Sequence, residues 1–249
     1  MMLACDNLAI RRGQAEVVRG ISAELRPGTI TAIVGPNGAG KSSLLMGLAG
    51  LLPAESGAVR LDGTPLTELA SRERACRIGY LPQSTEIAWD VAVENLVALG
   101  RMPHRDRGSE PVEAAIRVME LEELRTRPAS QLSGGETSRA LLARVLAGEP
   151  QWILADEPLA ALDLAHQITL IDHLKSCARS GMGVVIVLHD LAMAMNHADR
   201  VQVLEEGALA ADGTAQEALT PETIARVWGA DVEWIGMPGR QAIVASSRD

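Results

Sequence analysis

The chain has 249 residues, a formal net charge of −9 and 47% apolar residues. Such a chain can bury a sizeable core in one large domain and is too apolar to be disordered, while its acidic balance argues against general nucleic-acid binding, which needs a basic face. No uninterrupted apolar stretch approaches the roughly 20 residues of a membrane span. The longest candidate, Leu44–Leu52, is broken by two glycines. The opening MMLACDNLAIRR lacks the apolar segment of a secretory signal, so a cytosolic location is expected. Cys5, Cys76 and Cys177 are far apart and form no CxxC pair, which points to reduced thiols rather than a zinc site or a disulfide frame.

In chain order, residues 1–34 alternate as strands (LAIRR, EVVRGISAEL, TITAIV), punctuated by Gly13, Gly20 and Pro27–Gly28. An antiparallel layer is expected here, leading into a central strand at Thr29–Val34. A glycine-rich turn and a helix over Lys41–Gly50 follow. Residues 51–83 return to strands around Asp62–Gly63, with RIGYLPQ the last of them. From Ser84 to about Gly148 the apolar period becomes helical, as in VAVENLVALG and VEAAIRVMELEEL, and a helical insertion is expected. Pro103 and Gly108 interrupt it and Pro128 closes it. Its basic cluster Arg101–Arg107 reads as a solvated loop or a partner contact, since aromatics for a base-stacking platform are scarce. Residues 151–205 resume strand–helix alternation, and WILA and VVIVL have the near-continuous apolar character of buried parallel strands. The stretch 206–249 shows two glycine turns, a short helix near Pro221–Trp228 and a polar end.

Five motifs carry the chemistry. GPNGAGKS at Gly35–Ser42 matches GxxxxGK[ST] in full and lies between the strand TITAIV and the helix KSSLLMGL. Gly35, Gly38 and Gly40 let the backbone curl around Pro36, so that amides of Asn37, Ala39 and their neighbours can point at phosphate oxygens. The helix start at Lys41, Ser42 and Ser43 adds its partial positive charge. In this reading Lys41 reaches the β- and γ-phosphates and the Ser42 hydroxyl ligates Mg²⁺. The competing reading is an ordinary glycine turn. WILADEP brings Asp156 out at the end of a buried strand, where it can hold the metal, with Glu157 beside it to polarise the attacking water as general base. Adjacent acids at a strand end could otherwise be a surface pair. Gln83, in LPQ, ends its strand within reach of metal and water. His189 follows VVIVL directly and can bond the γ-phosphate or orient the water, or else be a structural edge histidine. His104, His166, His173 and His197 have no such placement and read as surface or core residues. Finally, LSGGE at Leu132–Glu136 opens a helix, so Ser133, Gly134 and Gly135 form a second anion-binding nest. Alternatively Ser133 is a simple N-cap. Two places for one γ-phosphate suggest that each ATP lies between two chains.

Over nearly its whole length the sequence resembles the ATP-binding subunit of an ABC transporter. The resemblance implies an α/β fold: a P-loop NTPase (RecA-like) core with an N-terminal antiparallel β layer and an inserted helical subdomain. The implied division is a core of residues 1–83 and 149–249 and a helical signature subdomain of residues 84–148. It implies ATP and Mg²⁺ as cofactors, and a homodimer in which the phosphate loop of one subunit faces the signature of the other. On this pattern Leu132–Glu136 is the signature, with Glu136 where glutamine is commoner. Leu159–Asp163 is the D-loop, with Asp163 near the dimer seam. Gln83 is the Q-loop residue and His189 the switch histidine. The family usually stacks an aromatic residue on adenine near positions 11–13. Here Arg11–Arg12–Gly13 stand, in a chain with no Phe and one Tyr, and Arg12 can stack its guanidinium on the base instead.

The stretch STEIAWDVAVENLVALGRMPHR is similar to the importers for ferric siderophores, haem and cobalamin through Val93, Val97, Gly100, Arg101, Pro103 and His104. By that resemblance residues 84–107 line the groove that receives a cytoplasmic helix of the permease. The implied partners are two separate permease subunits and an extracytoplasmic substrate-binding protein, and the implied location is the cytoplasmic face of the membrane. The alternatives are a soluble non-transport ABC ATPase, an importer subunit for an unrelated substrate, another P-loop enzyme and a nucleotide-sensing module. The length of the chain, the LSGGE and His189 pair, the missing NKxD and Glu157 argue against the first, third and fourth kinds.

Overall fold

Three five-residue runs, ITAIV, WILAD and GVVIV, are buried at every position, as strands covered on both faces must be. In the computed structural model, which describes residues 2–83, 90–106, 108–160 and 162–245, they form β3 (Ile30–Val34), β7 (Trp152–Asp156) and β8 (Gly183–Val187). With β6 (Ile78–Leu81), β9 (Arg200–Glu205) and β10 (Ala208–Gly213) they build a six-stranded sheet in the order β10-β9-β3-β8-β7-β6. β6, β7, β8, β3 and β9 run parallel, and β10 is the antiparallel edge. Val187 pairs with both Ile33 and Asp156. The carboxyl ends of β3, β7 and β8 therefore lie level, on the edge where open α/β sheets place their ligands.

A second sheet of order β2-β1-β4-β5 consists of β1 (Leu3–Arg12), β2 (Ala15–Leu25), β4 (Ser56–Leu61) and β5 (Thr64–Pro65). Side chains alternate across the central strands and so feed two cores. Ile33, Leu154, Val185 and Val187 pack with α1 (Lys41–Leu48) and the antiparallel sheet. Ala32, Val34, Ile153, Ala155, Val184 and Ile186 pack on the opposite side. There they meet α3 (Val93–Ala98), α4 (Ser109–Val118), α5 (Gly134–Ala147) and α6 (Leu164–Arg179), which follow α2 (Ser71–Arg77) in chain order. Leu44, Leu45 and Leu48 of α1 are at most 1% exposed and fix the helix behind the glycine loop. Leu45→Ala is expected to lower stability by about 2–5 kcal/mol through the cavity it leaves. Urea denaturation checks this, and a loss under about 1 kcal/mol would contradict the packing described.

Several expected elements are corrected. The central strand begins at Ile30 rather than Thr29, and α1 ends at Leu48 rather than Gly50. Residues 71–77, expected in strands, are the helix α2; its sequence SRERACR buries no residue, so it carries no apolar period to read. β6 stops at Leu81, and Pro82, which has no N–H to donate to a ladder, separates it from Gln83. Arg101 is not solvated: it is 6% exposed, donates to the Ala147 carbonyl at 3.0 Å and pairs with Asp106 at 2.6 Å and Glu149 at 2.7 Å. The cluster continues with Arg72, which donates to the carbonyls of Pro103 and His104, and with His104 Nε2, 2.9 Å from the Gly148 carbonyl. Arg107 and the 84–89 part of the expected permease groove lie outside the described residues.

After β8 come α7 (Leu191–His197), β9, β10, α8 (Ala215–Ala218) and α9 (Pro221–Trp228). A hairpin of β11 (Val232–Met237) and β12 (Arg240–Ala245), not expected from the sequence, follows α9, and residues 246–249 of the expected polar end lie outside the described residues. The hairpin is tied to α7 by reciprocal bonds between the Asn196 amide and the Gln241 backbone, at 2.7 Å each.

Candidate active site

The turn after β3 is shaped by close backbone approach. A Cβ on Gly40, whose φ is +97°, would lie 2.2 Å from the Val17 carbonyl of β2, and one on Gly35 the same distance from the Leu204 carbonyl of β9. Only glycine can thread the loop between the two sheets in this way. Gly40 then caps α1. Pro36 and Ala39 close the turn through a backbone bond of 3.2 Å, and Gly207 donates to the Ala39 carbonyl at 3.1 Å. Asn37, Gly38, Gly40, Lys41, Ser42 and Ser43, together with Arg12, Val17 and Glu157, line a cleft of about 270 Å³ at the mouth of this turn.

Lys41 is 6% exposed, and its ammonium donates to the carbonyls of Gly35 at 2.8 Å and Pro36 at 3.0 Å. Burial holds its pKa below the usual lysine value, while Glu157 and Asp156 pull it the other way. An anion entering the cleft would offer this ammonium a stronger acceptor than the two neutral carbonyls.

Asp156, the last residue of β7, is 4% exposed and accepts a hydroxyl on each oxygen: Ser42 Oγ at 2.9 Å and Tyr80 Oη at 3.3 Å. Burial raises its pKa, against which the Ser42 bond acts. The Ser42 hydroxyl and the Asp156 carboxylate are hard oxygen donors side by side, the kind of set that suits Mg²⁺ when phosphate and water complete the shell. Among the described residues no group of three or more His, Cys, Asp or Glu side chains could hold a metal ion.

Glu157 takes a positive φ of 48°, a backbone conformation rare for glutamate. Its side chain is 10% exposed and is gripped from both sides. Gln83 Nε2 donates to Oε2 at 2.6 Å, and His189 Nε2 lies 2.5 Å from Oε1. A carboxylate only accepts, so the imidazole presents N–H to it. His189 stands just past the end of β8, and the next residue, Asp190, caps α7 by accepting the amides of Ala192 at 2.7 Å and Met193 at 3.0 Å. A pocket of about 100 Å³ separates Glu157 and His189 from Gln167 and Met193. The structure thus brings Gly35–Ser43, Asp156, Glu157, Gln83 and His189 to one edge.

Ser133, Gly134, Gly135 and Glu136 do not line this cleft, nor does Asp163. Ser133 caps α5 in a reciprocal box: Glu136 N–H donates to Ser133 Oγ at 3.3 Å, and Ser133 N–H donates to Glu136 Oε2 at 2.7 Å. That last bond holds the Glu136 carboxyl below its usual range. Asp163 caps α6, while Ala161 of the same expected loop lies outside the described residues. Two residues near the edge escaped the sequence reading. Tyr80 was recoverable from its place on the strand leading to Gln83. Asp190 was recoverable as an N-cap residue between His189 and an apolar helix.

The sequence pattern described as ABC transporter matches residues 18–160. The chain is 44% identical, over 239 residues, to the hemin import ATP-binding protein HmuV of Pseudomonas entomophila (strain L48), covering 93% of this chain and 94% of that one. It is 41% identical to the hemin import ATP-binding protein HmuV of Streptomyces coelicolor (strain ATCC BAA-471 / A3(2) / M145), covering 98% of this chain and 89% of that one. The dimeric post-hydrolysis structure of the ATP-binding cassette MJ0796, bound to ADP and Pi, superposes with a TM-score of 0.76 at 26% identity, covering 86% of this chain and 99% of that one.

Proposed function

We infer that this chain, which belongs to the ABC transporter family and hydrolyses ATP as its ATP-binding cassette, drives the uptake of hemin or a closely related metal chelate through separate permease subunits. The observation that carries the reading is the convergence of three parallel strand ends on the glycine loop, with Glu157 between Gln83 and His189 at the cleft. Similarity to the hemin import proteins over 93% or more of the chain supports the substrate class. An importer subunit for an unrelated substrate is the remaining alternative.

In this reading the backbone N–H groups of the Gly35–Ser43 turn, Pro36 excepted, hold the phosphates, and Lys41 exchanges the Gly35 and Pro36 carbonyls for the β- and γ-phosphoryl oxygens. Arg12 lies against the adenine. Ser42, Asp156 and Gln83 would hold Mg²⁺, which when bound would neutralise charge developing on the phosphoryl oxygens. Glu157 takes a proton from the attacking water, and His189 holds that carboxylate and the water in line. Each carboxylate oxygen keeps a lone pair after accepting one bond, so the grip of Gln83 and His189 orients the base without blocking it.

Ser133, Gly134, Gly135 and Glu136 would serve the ATP of a second copy, with Asp163 at the seam. None of them is among the residues lining this chain's own cleft, which is compatible with that arrangement. Residues 84–148 would act as a helical signature subdomain on a core of 1–83 and 149–249. Among the described residues no helix is long and apolar enough to cross a membrane. The cassette would attach to the cytoplasmic face through two permease chains, with an extracytoplasmic binding protein delivering cargo. Co-expression with candidate permease subunits, reconstitution in vesicles and uptake of hemin, cobalamin and a ferric siderophore test the assignment. ATP-dependent accumulation of hemin is expected, and uptake of neither hemin nor the other two chelates would refute it.

A further inference from the structure

His166 read from the sequence as an ordinary surface or core histidine, but its ring lies directly on the signature turn. An ideal Cβ on Gly135 would meet His166 Cδ2 at 2.1 Å and Nε2 at 2.5 Å. Gly135 is helical and buried, so its missing side chain makes room for the imidazole rather than for an unusual φ. The ring is not core filler: its side chain is 42% exposed. It is held in place by Asp163, whose Oδ1 accepts His166 N–H at 3.0 Å and lies 2.7 Å from Nδ1. Because the carboxylate is an acceptor only, Nδ1 carries the proton, and Nε2 is turned toward the first turn of α5. The next residue, Gln167, clasps the D-loop through bonds to the carbonyls of Leu159 at 3.1 Å and Leu162 at 3.2 Å. On the other side, the Ser133–Glu136 box ties the turn into one unit, so that Gly135 and Ser133 shift together.

We propose that His166 is a positioning residue that couples the D-loop to the signature turn of its own subunit, through Asp163 on one side and the face of Gly135 on the other. The proposal rests on the reading of Ser133–Gly135 as the site for a partner's γ-phosphate. Contacts made by the D-loop across the seam would then set the position of the nest that closes on the partner's nucleotide. The ring enters neither the cleft nor the reacting atoms.

The test uses the full chain carrying Glu157→Gln, and reads the ATP concentration at half-maximal dimer formation by analytical ultracentrifugation. Binding of a fluorescent ATP analogue to the monomer is measured alongside. His166→Ala is expected to raise the dimerisation midpoint about tenfold, the loss of one hydrogen bond to a charged group, with monomer affinity unchanged. His166→Asn, which keeps a planar group and a donor for Asp163, is expected to recover to within about threefold. Gly135→Ala is expected to shift the midpoint further, and adding His166→Ala to it to restore part of the loss, because the new methyl then occupies the vacated ring position. Dimerisation indifferent to His166→Ala, or strictly additive effects of the two changes, would overturn the coupling. If the Glu157→Gln parent itself stayed monomeric with ATP, the two-chain site would fall and this role with it, whereas a parent that dimerises separates the two failures.

Discussion

Glu157→Gln is expected to lower ATP turnover about a thousandfold, within the range a positioned base contributes, while nucleotide binding survives and ATP-loaded dimers accumulate. The amide has the size of the carboxylate, so the contacts with Gln83 and His189 can be kept in altered form. What is lost is the basic oxygen. The other residues that line the cleft are untouched, and a negative charge beside the expected γ-phosphoryl position is removed, so binding has no reason to weaken. Phosphate release at saturating ATP gives the rate and size-exclusion chromatography gives the dimer. Turnover within about tenfold of the parent would contradict the general-base role.

Lys41→Ala should act on binding itself, weakening ATP affinity about 100-fold, the scale set by a charge-assisted bond from a buried ammonium. The ammonium is 6% exposed and already paired with the Gly35 and Pro36 carbonyls, so it is poised without needing a new rotamer search. Burial depresses its pKa, and bound phosphate would restore the preference for the charged form. The alanine leaves Asp156 and Glu157 facing the triphosphate with one cation fewer. Calorimetric titration with ATP checks this, and an affinity within about threefold of the parent would remove Lys41 from the phosphate contacts.

The two predictions depend on parts of the molecule that were legible for one reason. Strands buried on both faces announce themselves as apolar runs, so TITAIV, WILA and VVIVL could be laid parallel in advance and the residues just beyond them assigned to one edge. The glycine turn between strand and helix was equally readable. Other features depend on partners distant in sequence. Arg101 looks like a surface charge until Glu149, 48 residues away in order, is brought to it. His166 looks unplaced until α6 is set against α5, 31 residues upstream of it at Gly135. The helix α2 buries nothing and leaves no pattern. The final hairpin has a half-exposed alternation whose partners, the Asn196 side chain and the Leu219 backbone carbonyl that accepts Trp234 Nε1–H at 2.7 Å, belong to other parts of the chain. Gln83 was expected at its strand's end and stands two residues past it, a displacement caused by Pro82.

ATP is proposed to lie between two copies of this chain, and a crystal structure of the Glu157→Gln protein saturated with Mg-ATP decides whether it does. A two-fold dimer holding two nucleotides is expected, each with its γ-phosphoryl group bonded to Lys41 of one copy and to Ser133 of the other. A single copy closed around its nucleotide, or a dimer whose Ser133–Gly135 turns face away from every phosphoryl group, would contradict it.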